Sequence, residues 1–489
     1  MTNATSQMFP NADTTSPPHT PFWQPTLLAA LAGGMGWGIR GQYGHETGAM
    51  IAGLLVSLVL VFLLCPQAAL LPAARAVAFG TIAMGFGGSM TYGQTIGLTQ
   101  NAPLLGNWDA LRWGMLGLAI KGGLWIGFAG LFLGMGLGGV RYRSREVLLL
   151  MAGMLALYGA GLWVLNRPFD PPNKILPRIY FSADWHWQPG AELKPRPEYW
   201  GGLLFAFFGA WLWTGWVRRD RLARNLALWG VVGGLGFPIG QSLQAFHAWT
   251  PEIFKSGIWA QLDPAMNWWN WMETTFGTVM GGCLGLGLWL NRRRVGALKD
   301  TGEVPLKPGI EWVLLSVHVT LLVLQEFSSV PWANALYDPG LILALIPLVA
   351  VASGRWWPFL LALPITVVPI AGKTIQNLVY ESHALSPVSG WLLYGALPLA
   401  LTTGAAVWFA RQLGRGLGGR EFARRALLLS AWLYFGLNHA LFRFPWPWEK
   451  WTARTPNALA FTVCLLGLTL ACLTLGRGRQ QPPARDAGA

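Results

Sequence analysis

Charge is scarce in this chain. Only 11% of its 489 residues are Asp, Glu, Lys or Arg, where a soluble domain carries about a quarter. That shortage excludes an ordinary water-facing globule. Cysteine is scarcer still. Cys65, Cys283, Cys464 and Cys472 lie within or beside apolar runs, with no CxxC pair and no histidine cluster near them. That pattern speaks against a disulfide framework and against a zinc site. A signal peptide is missing from the start of the chain: residues 1–21 are polar, rich in Ser, Thr, Asn and Pro. They read as a disordered cytoplasmic tail, with the first apolar run acting as its own uncleaved signal. No glycine loop follows a strand in an α/β unit, so the GxG pairs are not a nucleotide fingerprint. No soluble face interleaves basic and aromatic residues, which disfavours nucleic acid as a partner. No Ser-His-Asp order or close carboxylate pair can be picked from spacing. Neither a metal nor a cofactor is expected.

What the chain has is apolar length. Hydrophobic residues make up 53% of it, in repeated runs of about the twenty residues that a membrane-crossing helix needs. It also has 62 Gly and 29 Trp. Glycine lets helices approach closely in lipid, and tryptophan favours the membrane interface. The expected fold is an all-α polytopic membrane protein of about fourteen transmembrane helices.

Basic residues orient those helices. The clusters RYRSRE (Arg141 to Glu146), RRDRLAR (Arg218 to Arg224), NRRR (Asn291 to Arg294) and RQLGRGLGGREFARR (Arg411 to Arg425) each lie between apolar runs. Placed in the cytoplasm, they put both termini inside and absorb the net charge of +14. The resulting organisation has a tail at 1–21 and a first unit at 22–146 of about four spans. A second unit follows at 147–294, also of about four spans, with a long outer loop at 166–198. After a cytoplasmic linker at 295–309 comes a third unit of about six spans at 310–476, then a tail at 477–489. Three segments share a motif: Gly34-Met-Gly36 before Gly41-Gln42, Gly85-Phe-Gly87 before Gly93-Gln94, and Gly234-Leu-Gly236 before Gly240-Gln241. Among the return segments, GLFLGMGLGG (Gly130 to Gly139) resembles GGCLGLGL (Gly281 to Leu288). Helical hairpins repeated in parallel sense would produce this pattern, as in many transporters.

Polar residues gather at the outer ends of the expected spans. The stretch GGMGWGIRGQYGHETGAM, Gly33 to Met50, hangs Arg40, Gln42, His45 and Glu46 on a glycine-rich backbone. Gln94, Gln241, His247, Glu273, Glu326, Lys373 and His439 fall at the same depth, while Lys121 stands near mid-span. Ionisable groups within a span are costly and face a polar interior with partners. The stretch therefore reads as a broken turn lining a polar cavity. Lys121 is expected to pair with Glu273 or Glu326. Of the outer loops, NWWNW (Asn267 to Trp271) reads as an interfacial aromatic belt. ADWHW (Ala183 to Trp187), with Asp184 and His186, reads as a lid or binding loop.

These features point to a multi-pass inner-membrane protein with a cavity facing the periplasm. The first functional reading is a secondary transporter of a small polar solute, anionic or carbohydrate-like. In it Arg40 and Lys373 meet the anion, Gln42, Gln94 and Gln241 hydrogen-bond it, and Glu273 or Glu326 carries a coupling proton. The alternative is a membrane-embedded glycosyl- or acyl-group transferase acting at the outer leaflet on a lipid-linked substrate, with His45 or Glu46 as acid/base. The partners expected are the lipid bilayer and that solute or lipid-linked substrate.

Overall fold

The structure is a computed structural model. It describes residues 20–475 apart from 42, 45, 91, 191, 297, 299–305, 329, 338 and 443–450. Gln42 and His45 of the glycine-rich stretch thus lie outside the described residues, as does the tail at 477–489.

The described chain is a bundle of helices. In order they are α1 (Trp23–Arg40), α2 (Glu46–Leu64), α3 (Leu70–Ala83), α4 (Gly93–Gln100), α5 (Trp108–Leu137) and α6 (Ser144–Leu165). Then come α7 (Trp200–Val217), α8 (Arg221–Gly233), α9 (Gly236–Trp249), α10 (Trp268–Leu290), α11 (Pro308–Phe327) and α12 (Pro331–Tyr337). The last are α13 (Gly340–Ser353), α14 (Trp357–Glu381), α15 (Pro387–Arg411), α16 (Gly419–Phe442) and α17 (Thr455–Thr474).

Each apolar run read as a span is helical here. Among the described residues, 10 helices are long and apolar enough to cross a membrane, or up to 11 if α12 and α13, bent by 71°, make one span. Helices α1, α10 and α16 have the length, at 18, 23 and 24 residues, but are less apolar. Arg40, Glu273 and Asn438, one on each, are buried among neighbouring helices, which lowers the hydropathy of these runs without exposing charge to lipid.

Helix α2 carries apolar residues on every face and is almost wholly buried, with α1, α3, α10, α14 and α16 packed around it. The periphery is the reverse. Helices α6, α11 and α15 turn Leu149, Trp163, Val313 and Val388 outward. Apolar side chains on the outside of a bundle fit a lipid solvent.

Glycine rows set the tightest crossings. A Cβ at Gly33 of α1 would collide with the carbonyl of Gly277 in α10, and Cβ atoms at Gly281 and Gly285 would strike the carbonyls of Ala29 and Pro25. Helix α5 meets α8 and the break after it the same way, Gly130 against Leu226 and Gly122 against Gly234. The two return segments that rhyme in sequence therefore do the same packing work, backbone against backbone, as small-residue helix interfaces in membranes do.

The basic loops converge on one end of the bundle. Arg218 donates to the Arg141 carbonyl at 2.7 Å and pairs with Glu146 at 3.0 Å. Asn225 donates to Asn291 at 2.9 Å, and the Gly419 amide donates to the Ala68 carbonyl at 2.7 Å. Elsewhere in the bundle three helices are interrupted. Helix α1 gives way to α2 across Gly41 to Gly44, the last with φ +86°, a conformation that glycine adopts without strain. Helix α3 passes through a 3-10 turn, Phe86–Ser89, before α4. Helices α8 and α9 are interrupted at Gly234 and Leu235.

Candidate functional site

Arg40 ends α1 and is 1% exposed. Its guanidinium pairs with Glu273 of α10 at 2.9 Å and donates to the hydroxyl of Tyr92, just ahead of α4. It lies over the rings of Trp37, Tyr92 and Trp125 at 5.0, 5.6 and 5.7 Å. A guanidinium gains from aromatic faces once water is removed, and here the faces form three walls. Glu273 is held from the other side: Trp269 donates its indole N–H at 3.2 Å and Asn270 its amide at 3.5 Å. Asn270 also donates to the Gly38 carbonyl at 2.7 Å, tying α10 to the last turn of α1. A Cβ at Gly41 would collide with the Glu273 carboxylate. The glycine after Arg40 is there so that the carboxylate can come close.

The local helix ends favour these charges. Arg40 stands in the last turn of α1 and Glu46 in the first turn of α2, the positions where the helix dipoles stabilise a cation and an anion. Glu46 adds its negative field to Arg40. Behind Tyr92 stand Phe237, at the start of α9, with ring centroids 5.0 Å apart, and Phe276 of α10, stacked on Phe237 at 4.7 Å. The first break thus supplies Arg40 and the second Tyr92, while the third backs the Tyr92 ring through Phe237.

A second buried pair is held by Thr95 of α4, three residues beyond Tyr92. Lys121 Nζ pairs with Glu198 at 2.7 Å and donates to Thr95 Oγ1 at 2.7 Å. Glu198 also accepts from the Phe181 amide at 3.0 Å and from the Ser182 hydroxyl at 2.8 Å. This corrects the expectation that Lys121 pairs with Glu273 or Glu326. Glu273 is occupied by Arg40, and the loop at 166–198 folds down far enough to place its own carboxylate in the bundle. Spacing along helices cannot reveal a partner delivered by a loop.

Gln94 pins that loop. It donates to the Lys194 carbonyl at 2.9 Å and accepts from the Arg196 amide at 3.0 Å. Gln241 donates to Thr99 Oγ1 at 2.7 Å, joining α9 to α4. Asp184 accepts from the His186 amide at 2.7 Å, and the His186 ring lies edge-on to Trp187 at 5.0 Å. Burial holds the Asp184 carboxyl above its ordinary range.

The remaining candidates stand apart. Lys373 of α14 approaches Glu326 of α11 at 3.9 Å, and its Nζ reaches Gly44, so this pair borders the glycine-rich turn. His247 pairs with Asp263 at 2.9 Å and stacks on Trp268 at 4.6 Å. His439 of α16 stacks on Phe435 at 5.9 Å. In NWWNW the side chains have specific partners: Asn267 caps α10, Trp268 donates to Asp263, and Trp269 and Asn270 hold Glu273. Sequence reasoning passed over Tyr92 and Thr95, since uncharged residues beside a GQ pair give no signal of a charged neighbour. Among the described residues no group of three His, Cys, Asp or Glu side chains comes together. Comparison with protein-family models, with curated proteins and with solved structures finds no match.

Proposed function

We propose that this chain is a multi-pass inner-membrane secondary transporter of a small polar solute, anionic or carbohydrate-like, with Arg40 as its anchor. One observation carries the reading: two interrupted helices meet at a single buried arginine, and a third backs its Tyr92 partner through Phe237. Transporters build substrate sites where discontinuous helices meet at a repeat interface. An arginine fork suits a carboxylate or phosphate. In the empty state Glu273 occupies the fork. A solute anion takes its place, and the displaced Glu273 carboxylate is protonated by a hydronium ion that enters from the outer solution with the solute. Solute and proton then move together. Tyr92 and Trp269 supply hydrogen bonds, and the aromatic walls exclude water.

The test is thermal stabilisation of the purified protein by sugars, sugar acids, amino acids and isoprenoid phosphates, followed by uptake into proteoliposomes. Anything that binds the folded state raises the melting point by mass action. A water-soluble solute is expected to do so, and Arg40→Lys, which keeps the charge and loses the fork, is expected to abolish the effect. Uptake should follow a proton gradient and lose that dependence in Glu273→Gln. Undiminished stabilisation in Arg40→Lys would remove Arg40 from the site. A second reading, an outer-leaflet transferase using Glu46 or His45 as acid/base, draws on the closeness of the two buried pairs, which Tyr92 and Thr95 hold from positions three residues apart. Stabilisation by isoprenoid phosphate alone would select it.

A further inference from the structure

At the basic end, away from the two buried pairs, a cavity of about 410 Å³ opens between α6 and α7. Leu150, Met154, Leu157, Gly209 and Ala210 form its apolar walls, and Glu146 and Arg218 stand at its mouth. Both helices turn apolar side chains outward beside it: Leu149 is 70% exposed and Val217 70%. Gly153 lines the cavity, and a Cβ there would meet nothing within 4 Å. Helix α7 widens at this level into a π-helical turn, Trp213–Val217, a feature that often marks functional sites.

The mouth is strongly cationic. Arg141, Arg143, Arg145, Arg219 and Arg221, within five residues of Glu146 or Arg218 along the chain, are exposed. Two carboxylates stand among them and both are engaged. Glu146 pairs with Arg218 at 3.0 Å, and Asp220 accepts from the Tyr142 hydroxyl at 2.9 Å and from the Ala223 amide at 2.9 Å. The cavity is apolar within, positive at its rim, and flanked by outward-facing apolar side chains.

We propose that this cavity is a binding site for an anionic phospholipid. One acyl chain lies along the α6–α7 groove from Leu157 toward Leu150, and the phosphate headgroup rests on the arginine rim. Basic pockets between membrane helices hold acidic headgroups by the same charge complementarity. Arg218, fixed by Glu146 and by the Arg141 carbonyl, shapes the mouth, and the exposed arginines supply the charge that prefers an anionic head over a zwitterionic one.

The experiment uses the full chain in detergent, with its melting point followed on adding phosphatidylglycerol, phosphatidylcholine or water-soluble glycerol phosphate. Phosphatidylglycerol is expected to stabilise it, phosphatidylcholine much less, and glycerol phosphate not at all. Gly153→Leu fills the groove at a position with room for a side chain and is expected to abolish the phosphatidylglycerol effect while the variant folds. Arg219→Ala, on the exposed rim, should weaken apparent affinity about fivefold, since one arginine near an anionic surface contributes about 1 kcal/mol. Equal stabilisation by both phospholipids would overturn the proposal. So would an undiminished effect in Gly153→Leu, or stabilisation by glycerol phosphate alone.

Discussion

Two ion pairs are buried among the described residues, and they are built differently. Arg40 and Glu273 are both carried by helices, α1 and α10, whose backbones touch through Gly33, Gly277, Gly281 and Gly285. Aromatic rings surround them. Lys121 and Glu198 join a helix to the end of a long loop, and their other partners are the hydroxyls of Thr95 and Ser182 and one backbone amide. The first pair cannot separate without moving one helix against another. The second can open by lifting a loop. Both are served by one segment, since Tyr92 holds Arg40 and Thr95 holds Lys121 from positions three residues apart. A movement of α4 is thus felt by both.

Breaking the first pair should have the largest effect. Glu273→Ala leaves Arg40 without its carboxylate in a dry aromatic setting, which for a buried ion pair costs about 3–5 kcal/mol. Denaturant unfolding in detergent would read this as a large drop in midpoint. Replacing both partners, Arg40→Met with Glu273→Leu, should recover most of the stability while leaving solute stabilisation lost, because paired apolar residues avoid the uncompensated charge. If Glu273→Ala is as stable as the wild type, water reaches Arg40 and the contrast with the loop pair disappears.

Breaking the second pair should cost less and act elsewhere. In Lys121→Met the Glu198 carboxylate keeps its bonds from the Phe181 amide and Ser182, and it can reach water by lifting with the loop. A cost of about 1–3 kcal/mol is expected, that of an imperfectly satisfied buried group. Hydrogen exchange should rise in the segment from Tyr180 to Ala183 and around Glu198, with α1 and α10 unchanged. Faster exchange throughout the bundle would mean that the loop pair is as much a part of the frame as the first.

The two pairs were unequally visible in the sequence. Arg40 and Glu273 could be found because charged residues at the ends of apolar runs stand out, and Gly41 hinted at a close approach. Their partnership could not be found, since a separation of 233 residues carries no spacing rule. The helices themselves were legible from apolar length. So was the convergence of the basic loops, because cationic clusters between apolar runs belong on one side of a membrane. Lys121 was legible as an anomaly at mid-span, but not Glu198 as its partner. A loop rich in proline, such as 166–198, follows no period, so which of its four carboxylates turns inward depends on tertiary packing. Asn270 and Tyr92 were hidden for a related reason. Neutral residues reveal a polar role only when the charge beside them is known.

The smallest of the expected effects concerns the loop that the second pair holds down. Asp184 sits in that loop, and burial raises its carboxyl above the ordinary range. A raised folded value means that the folded loop favours the neutral acid. Its contribution to stability is then present at acid pH and is lost as pH rises through the folded value. Asp184→Asn keeps an oxygen to accept the His186 amide and removes the charge. The melting point of this variant should therefore fall less than that of the wild type between acid and neutral pH. Combined with Lys121→Met, which frees the loop, the difference should shrink, because an Asp184 exposed to water has the same preference folded as unfolded. An Asp184→Asn effect that persists unchanged in the Lys121→Met background would show that Asp184 stays buried when the pair is broken. The loop would then be fastened by Gln94 and Tyr180 rather than by Lys121.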